Sequence, residues 1–290
     1  MVKQLSFVVN ILLVIYTAHA WVVRSRLVMG ITPGTIIGAG RIGSQLYESN
    51  GMKDKLLTSR DDVVTADSTG PIYICTRNND LDKIIETTPT DRRKDLVFLQ
   101  NGMLTNYLKE KGLSENSQAL IYYAVSAKGE KPIDGVTDLN PEGLTAVTGL
   151  WGADFAERLT SAGLKCHVYD KPDFTTAMLE KHIWICAFMA VGAKHGCTVG
   201  EVESKYNDEV RALIRELMTV AAAEEGVIFP AGAEDRLCAY ARSVAHFPTA
   251  LKEFEWRNGW FADISKRAIA ASKPDPCPLH TGYLEAAGLM

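Results

Sequence analysis

The run Thr35-Ile36-Ile37-Gly38-Ala39-Gly40-Arg41-Ile42-Gly43 constrains this chain more than any other stretch. A short β-branched segment turns through three spaced glycines into an amphipathic segment carrying Ile42, Leu46 and Tyr47, which ends at Gly51. A strand, turn and helix of this kind cradle a dinucleotide. Gly38 permits the tight turn, Gly40 lets backbone N–H groups reach a pyrophosphate, and Gly43 lets the helix lie close to the strand with its N-terminal dipole facing the phosphates. The cofactor-binding positions read from the turn are Gly38, Ala39, Gly40, Arg41, Ile42 and Gly43. A flavin or S-adenosylmethionine site, or an ordinary glycine-rich turn, are the alternatives.

The second expected strand leads to Ser59 and Arg60, about twenty residues past the first glycine, where an NAD-specific fold places an acid on the ribose 2′-hydroxyl. An arginine there favours a 2′-phosphate, and so NADPH. Asp61 and Asp62 keep open the plainer reading that Arg60 begins a solvated turn.

Beyond this unit the pattern keeps alternating. Strands are expected at Pro71–Cys75, Leu96–Leu99, Ala119–Ala124 and Leu164–Tyr169, and helices at Asp80–Ile85 and Ala153–Ala162, which predicts a mainly parallel sheet covered on both faces. At Asp170-Lys171-Pro172-Asp173 the character changes to helical periodicity: Phe174–Ala193, a segment with Val210, Leu213, Ile214, Leu217, Met218 and Ala221 on one face, and Glu234–Val244. Ile183–Val191 is apolar all round, which marks a buried central helix. The expected fold class is an α/β Rossmann-type dinucleotide-binding domain over residues 34–170, followed by an all-α domain over residues 171–290.

An apolar fraction of 47% suits a chain that buries a core, and a net charge of −4 without long basic runs argues against nucleic acid. Residues 1–33 read as a presequence. Lys3 precedes an apolar stretch, Phe7–Tyr16, and Ala18-His19-Ala20 offers a small-x-small cleavage site. Trp21 and an acid-free stretch with Arg24 and Arg26 resemble the two-part presequences that deliver proteins to plastids enclosed by extra membranes. A signal anchor or secretion, or a true start at Met29 with a cytosolic product, are the other readings. No segment of the mature chain is long and apolar enough to span a bilayer. The six cysteines are scattered without a C-x-x-C or metal-ligand spacing, so reduced, mostly buried thiols and no metal are expected.

Three places could carry chemistry. Lys181 precedes the apolar run, next to His182, where a buried ammonium needs a partner or a task; a lysine snorkelling at the helix edge is the alternative. Glu253 lies in Thr249–Gly259, a stretch whose pattern alone reads as a solvated charged helix, with Glu253 and Glu255 on different faces. Asn101, in Gln100-Asn101-Gly102, follows a buried strand where it can face a nicotinamide or form an ordinary turn.

Taken in order, G-A-G-R-I-G, L-Q-N-G-M, Lys181 and E-F-E-W-R-N-G followed by Pro278 resemble the ketopantoate reductases (2-dehydropantoate 2-reductases), over residues 34–285. That family reduces 2-oxopantoate to pantoate with NADPH in pantothenate synthesis. The resemblance implies that Lys181 is the catalytic lysine, Glu253 the acid that binds substrate, and Asn101 the asparagine of the N-G loop. It also implies that Arg60 meets the 2′-phosphate and that Arg77 takes the place of a lysine. A small-molecule substrate is the implied partner, and a homodimer is open. The family's asparagines four and eight residues after the lysine are Ile185 and Met189 here, a polar substrate lining turned apolar. The family's carboxylate-binding serine lacks a clear counterpart, with Ser243 and Thr249 nearby. A reductase for a less polar 2-oxo acid and a non-catalytic NADPH sensor are therefore the alternatives to a ketopantoate reductase.

Overall fold

Strands made only of apolar residues, such as Ile72–Ile74 and Leu96–Phe98, can persist in water only with both sheet faces covered, and the computed structural model shows such a sheet. It describes residues 30–290, so Ala18-His19-Ala20, Trp21, Arg24, Arg26 and Met29 of the expected presequence lie outside the described residues. Seven strands, β1 (Thr35–Ile37), β2 (Lys55–Leu57), β3 (Ile72–Ile74), β4 (Leu96–Phe98), β5 (Ser117–Leu120), β6 (Ala146–Thr148) and β7 (His167–Val168), lie in the order β2-β1-β3-β4-β5-β6-β7. All neighbours are parallel except β5 and β6. Helices α1 (Arg41–Ser49), α2 (Leu81–Thr87), α3 (Thr105–Glu110) and α4 (Gly152–Ser161) complete this Rossmann-type layer.

Two expected strands are corrected. The one at Ala119–Ala124 begins at Ser117 and stops at Leu120; two residues further on, the Tyr122 amide donates to the Thr145 hydroxyl at 3.1 Å instead of a ladder carbonyl. The one at Leu164–Tyr169 is reduced to His167–Val168, since β6 offers it only two paired residues. The antiparallel β6 itself had no signal strong enough to be read from sequence.

The second layer is helical: α5 (Lys171–His195), α6 (Val199–Lys205), α7 (Asn207–Glu225), α8 (Ala233–Ser243), α9 (Asn258–Ala270) and α10 (Pro278–Ala286). α5 starts where the sequence changes character: the Asp170 carboxylate accepts from the Asp173 amide at 3.0 Å, and Pro172 occupies the first turn. It ends at Gly196, in the left-handed region at φ 61°. Between these caps α5 packs against α6, α7, α8, α10 and β6, which is why its Ile183–Val191 stretch is apolar on every side. Pro33–Met290 form one compact unit, the sheet layer continuing into the helical layer at α5.

A fully buried ion pair ties the first βα units together. Arg158 on α4 donates to Asp54 at 2.6 and 3.1 Å and to the Leu46 carbonyl at 3.1 Å, and its guanidinium lies 4.8 Å from the centre of the Tyr73 ring. Asp54, just before β2, also accepts from the Gly34 amide at 2.8 Å and from Asn50 at 3.3 Å. Removing one member of a buried pair strands the other's charge, at about 3–5 kcal/mol. Asp54→Asn is expected to lower unfolding stability by about that amount in urea titrations; a loss under about 1 kcal/mol would mean that water reaches Arg158.

Candidate active site

The glycine turn has the geometry its spacing requires. Gly38 sits at φ 101°, and a Cβ on Gly43 would stand 1.9 Å from the Gly38 carbonyl oxygen, so only glycine allows α1 to approach β1 this closely. At Gly40 a Cβ would meet nothing within 4 Å, which leaves the backbone open on that side. Gly40 is the N-cap of α1, whose first turn holds no acidic residue, and first-turn amides of a helix have no intrahelical acceptor. β1 lies between β2 and β3, so the turn opens at the switch point of the sheet, where doubly wound folds take their ligands.

A cavity of about 380 Å³ starts beside this turn. Its sheet side is formed by Arg41, Ile42, Cys75, Thr76, Leu99 and Asn101. Its helical side is formed by Lys181, Trp184, Ile185 and Met189 of α5, with Tyr240, Phe247 and Arg257. The α5 residues recur at helical spacing on one face, so the two apolar replacements stand on the same wall as the lysine. The Arg41 side chain is held by the Val125 and Ser126 carbonyls at 3.2 and 3.3 Å.

Lys181 is only 6% exposed, which rules out the snorkelling reading. Its Nζ donates to the Ile121 carbonyl, just past β5, and lies 4.7 Å from the centre of the Tyr122 ring. Burial, and secondarily the positive charge of Arg257, pull its pKa down from 10.5 to about 7. His182 is buried against the Phe261 ring, and burial lowers its pKa to about 3, so it stays neutral.

The Asn101 loop and the Glu253 segment, far apart in sequence, meet through their backbones. The Met103 amide donates to the Trp256 carbonyl at 2.8 Å, and Gly102, at φ 108°, would place a Cβ 2.3 Å from that oxygen. Gln100 donates to the Ile74 and Thr76 carbonyls at 3.0 and 3.1 Å, while Asn78 donates to the Asn101 carbonyl at 3.1 Å, which fixes the loop to the end of β3.

Here the structure corrects the sequence. The stretch around Glu253 is not a solvated helix: only Phe254–Trp256 forms a short 3₁₀ turn, Glu253 itself is left-handed at φ 49°, and the Trp256 carbonyl is committed to Met103. Glu253 does not line the cavity; its carboxylate binds the guanidinium of Arg257, which does. Sequence reasoning missed Arg257, although an acid four residues before an arginine was a visible pairing signal. Ser243 and Thr249 do not replace the missing serine, since their hydroxyls donate to the Tyr240 and Cys197 carbonyls at 2.8 and 2.6 Å and neither lines the cavity.

Ser59, Arg60 and Arg77 are exposed beyond β2 and β3, outside the cavity lining. The Asp62 carboxylate accepts from the Thr58 and Ser59 amides at 2.9 and 2.8 Å, which holds its pKa below the usual value. All six cysteines are free thiols. Among the described residues no group of side chains could hold a metal ion, and no helix is long and apolar enough to cross a membrane.

A glycine turn at a sheet switch point, with a cavity walled on its far side by a helical layer and a buried lysine, defines a two-layer protein of the Rossmann class. Residues 173–259 match the family described as ketopantoate reductase PanE/ApbA C terminal. The helical layer thus carries a segment that matches this C-terminal domain, and the chain as a whole shares the fold of solved PanE/ApbA ketopantoate reductases. Among solved structures it is similar to a PanE/ApbA family ketopantoate reductase from Ralstonia eutropha JMP134, with a TM-score of 0.61 and 18% identity over 87% of this chain and 97% of that one. It is also similar to 2-dehydropantoate 2-reductase from Methylococcus capsulatus, with a TM-score of 0.61 and 17% identity over 88% and 95%. D-mandelate dehydrogenase, solved with NADH and anilino(oxo)acetate, has a TM-score of 0.59 and 16% identity over 88% and 99%. No curated protein sequence matches the chain.

The Lys181 shift has a consequence for stability. The unfolded amine titrates near 10.5 and the folded one near 7, so between these values the unfolded chain holds the extra proton and stability rises with pH. Urea unfolding of the wild type should therefore gain free energy from about pH 7 to about pH 10 relative to Lys181→Met. Parallel pH profiles for the two proteins would mean that Lys181 titrates as an ordinary surface lysine.

Proposed function

We propose that the protein is an NADPH-dependent reductase of 2-oxo acids, with a substrate less polar than ketopantoate. The observation that carries this reading is the buried amine of Lys181 on the wall of a cavity that begins at the glycine turn. The Gly38–Gly43 turn would hold a reduced nicotinamide dinucleotide, which would supply the hydride for the carbonyl carbon. The chain's own part is acid catalysis and positioning. Lys181 gives its proton to the oxygen as alkoxide charge develops, a task suited to an amine whose pKa lies near neutrality. The loop at Asn101 closes the sheet side of the cavity beside Thr76. A wall that excludes water keeps the developing charge next to Lys181.

The NADPH preference is supported by Arg60, an exposed residue just beyond β2, the strand whose end carries the ribose-recognising residue in doubly wound folds. The substrate preference rests on Ile185 and Met189, which line the cavity where the family resemblance places two asparagines. Trp184 and Phe247 extend the same apolar lining, and the fold is shared with the D-mandelate dehydrogenase solved with NADH and anilino(oxo)acetate.

Fluorescence titration and steady-state rates test the cofactor and the acid together. Lys181→Ala should bind NADPH like the wild type while losing about a hundredfold or more in kcat. Arg60→Ala should lose about ten- to a hundredfold in NADPH affinity and little in NADH affinity. Normal turnover by the lysine variant would refute its role as acid, and equal affinity of the wild type for both cofactors would refute the NADPH preference.

On the substrate side, wild-type kcat/KM on ketopantoate should lie at least about tenfold below that on a phenyl- or alkyl-substituted 2-oxo acid. Combining Ile185→Asn with Met189→Asn should improve ketopantoate reduction, because amide partners for its polar groups are restored. Efficient ketopantoate reduction by the wild type, lost in the double variant, would show that the apolar pair belongs to the core.

A further inference from the structure

The lining of the cavity includes three cationic side chains, Arg41, Lys181 and Arg257, and no carboxylate. Two of these are held by backbone carbonyls, Arg41 by those of Val125 and Ser126 and Lys181 by that of Ile121. Arg257 differs. It is bound through Nη2 to Glu253, yet its Nε–H is buried with no acceptor, which is rare for a charged donor in a folded protein. Its backbone is fixed as well, because the preceding carbonyl, Trp256, accepts from Met103. A guanidinium so held presents a planar, pre-set edge, and the ligand that matches such an edge with two parallel hydrogen bonds is a carboxylate.

We infer that Arg257 is the residue that binds the carboxylate of the 2-oxo acid, and that Glu253 is a positioning residue that orients Arg257 rather than a ligand for a substrate hydroxyl. This rests on the reductase reading and gives it a substrate orientation. With the carboxylate on Arg257, the adjacent carbonyl lies in the cavity that Lys181 also lines, and the remaining substituent has Trp184, Ile185 and Met189 as its apolar lining. The assignment also accounts for the serine that the family resemblance leaves without a counterpart: in this chain the anion has an arginine. It links binding to protonation too. Arg257 is one of the two causes that lower the Lys181 pKa, so an anion seated on it offsets that charge and favours the ammonium form in the complex.

Equilibrium binding of oxamate, an unreactive analogue of a 2-oxo acid, tests this apart from turnover. Trp184 lines the cavity, so protein fluorescence with saturating NADPH reports occupancy. Oxamate should bind the wild type, and neutral oxamide should bind far more weakly. Arg257→Gln should weaken oxamate by about ten- to a hundredfold, the value of a charge-assisted contact, and leave oxamide unchanged. Arg257→Lys, which keeps the charge and serves if the glutamine variant does not fold, should weaken it less. Glu253→Gln should raise KM for a 2-oxo acid while leaving kcat near the wild-type value. Equal oxamate affinity in the wild type and the Arg257 variants, or no preference for oxamate over oxamide, would overturn the assignment. Failure of the reductase reading would look different: Arg257-dependent oxamate binding would persist in a protein with no turnover of any 2-oxo acid.

Discussion

Keeping the Lys181 amine away from water is the constraint on which the site depends. An ammonium stripped of solvent must find acceptors, give up its proton or leave. Lys181 is held by the Ile121 carbonyl and the face of Tyr122, both supplied by the segment that follows β5, with Arg257 nearby to weaken its hold on the proton. The layout follows from this. β5 has to end at Leu120 so that Ile121 can turn a carbonyl toward α5, and the 254–257 segment has to abandon helix so that Arg257 reaches the same cavity. Elsewhere the apolar surface of α5 is absorbed by its neighbours, and a lysine is tolerated where the helix meets the sheet layer.

What was legible in the sequence was what local physics decides. Glycines whose neighbours exclude a Cβ can be read without knowing the rest of the fold, and Gly38 and Gly43 have the tight turn and the close helix–strand approach that their spacing assigned, while Gly40 leaves the backbone open. The turn of character at Asp170-Lys171-Pro172-Asp173 was equally readable, because a carboxylate cap and a first-turn proline are short-range signals. The burial of Lys181 was left open by its place at the edge of the apolar run, and only the family resemblance put Ile185 and Met189 at the site; the structure sets all three on the cavity wall.

What was not legible depended on partners distant in the chain. No pattern within Thr249–Gly259 shows that Met103 will claim the Trp256 carbonyl, yet that bond separates the segment from a regular helix and turns Arg257, not Glu253, to the cavity. β6 and the early end of β5 were missed for the same reason, since Thr145 competes for an amide that a strand pattern assigns to the ladder. The hydroxyls of Ser243 and Thr249 were plausible ligands only until their acceptors were located.

The pH profile of kcat/KM for reduction of a 2-oxo acid tests the central claim most directly, because it reports the ionisations of the free enzyme. If Lys181 donates the proton, activity requires its ammonium form, and kcat/KM should fall by about tenfold per pH unit above a pKa near 7. A kcat/KM that stays level up to pH 10 would contradict a buried lysine acid as the centre of this site.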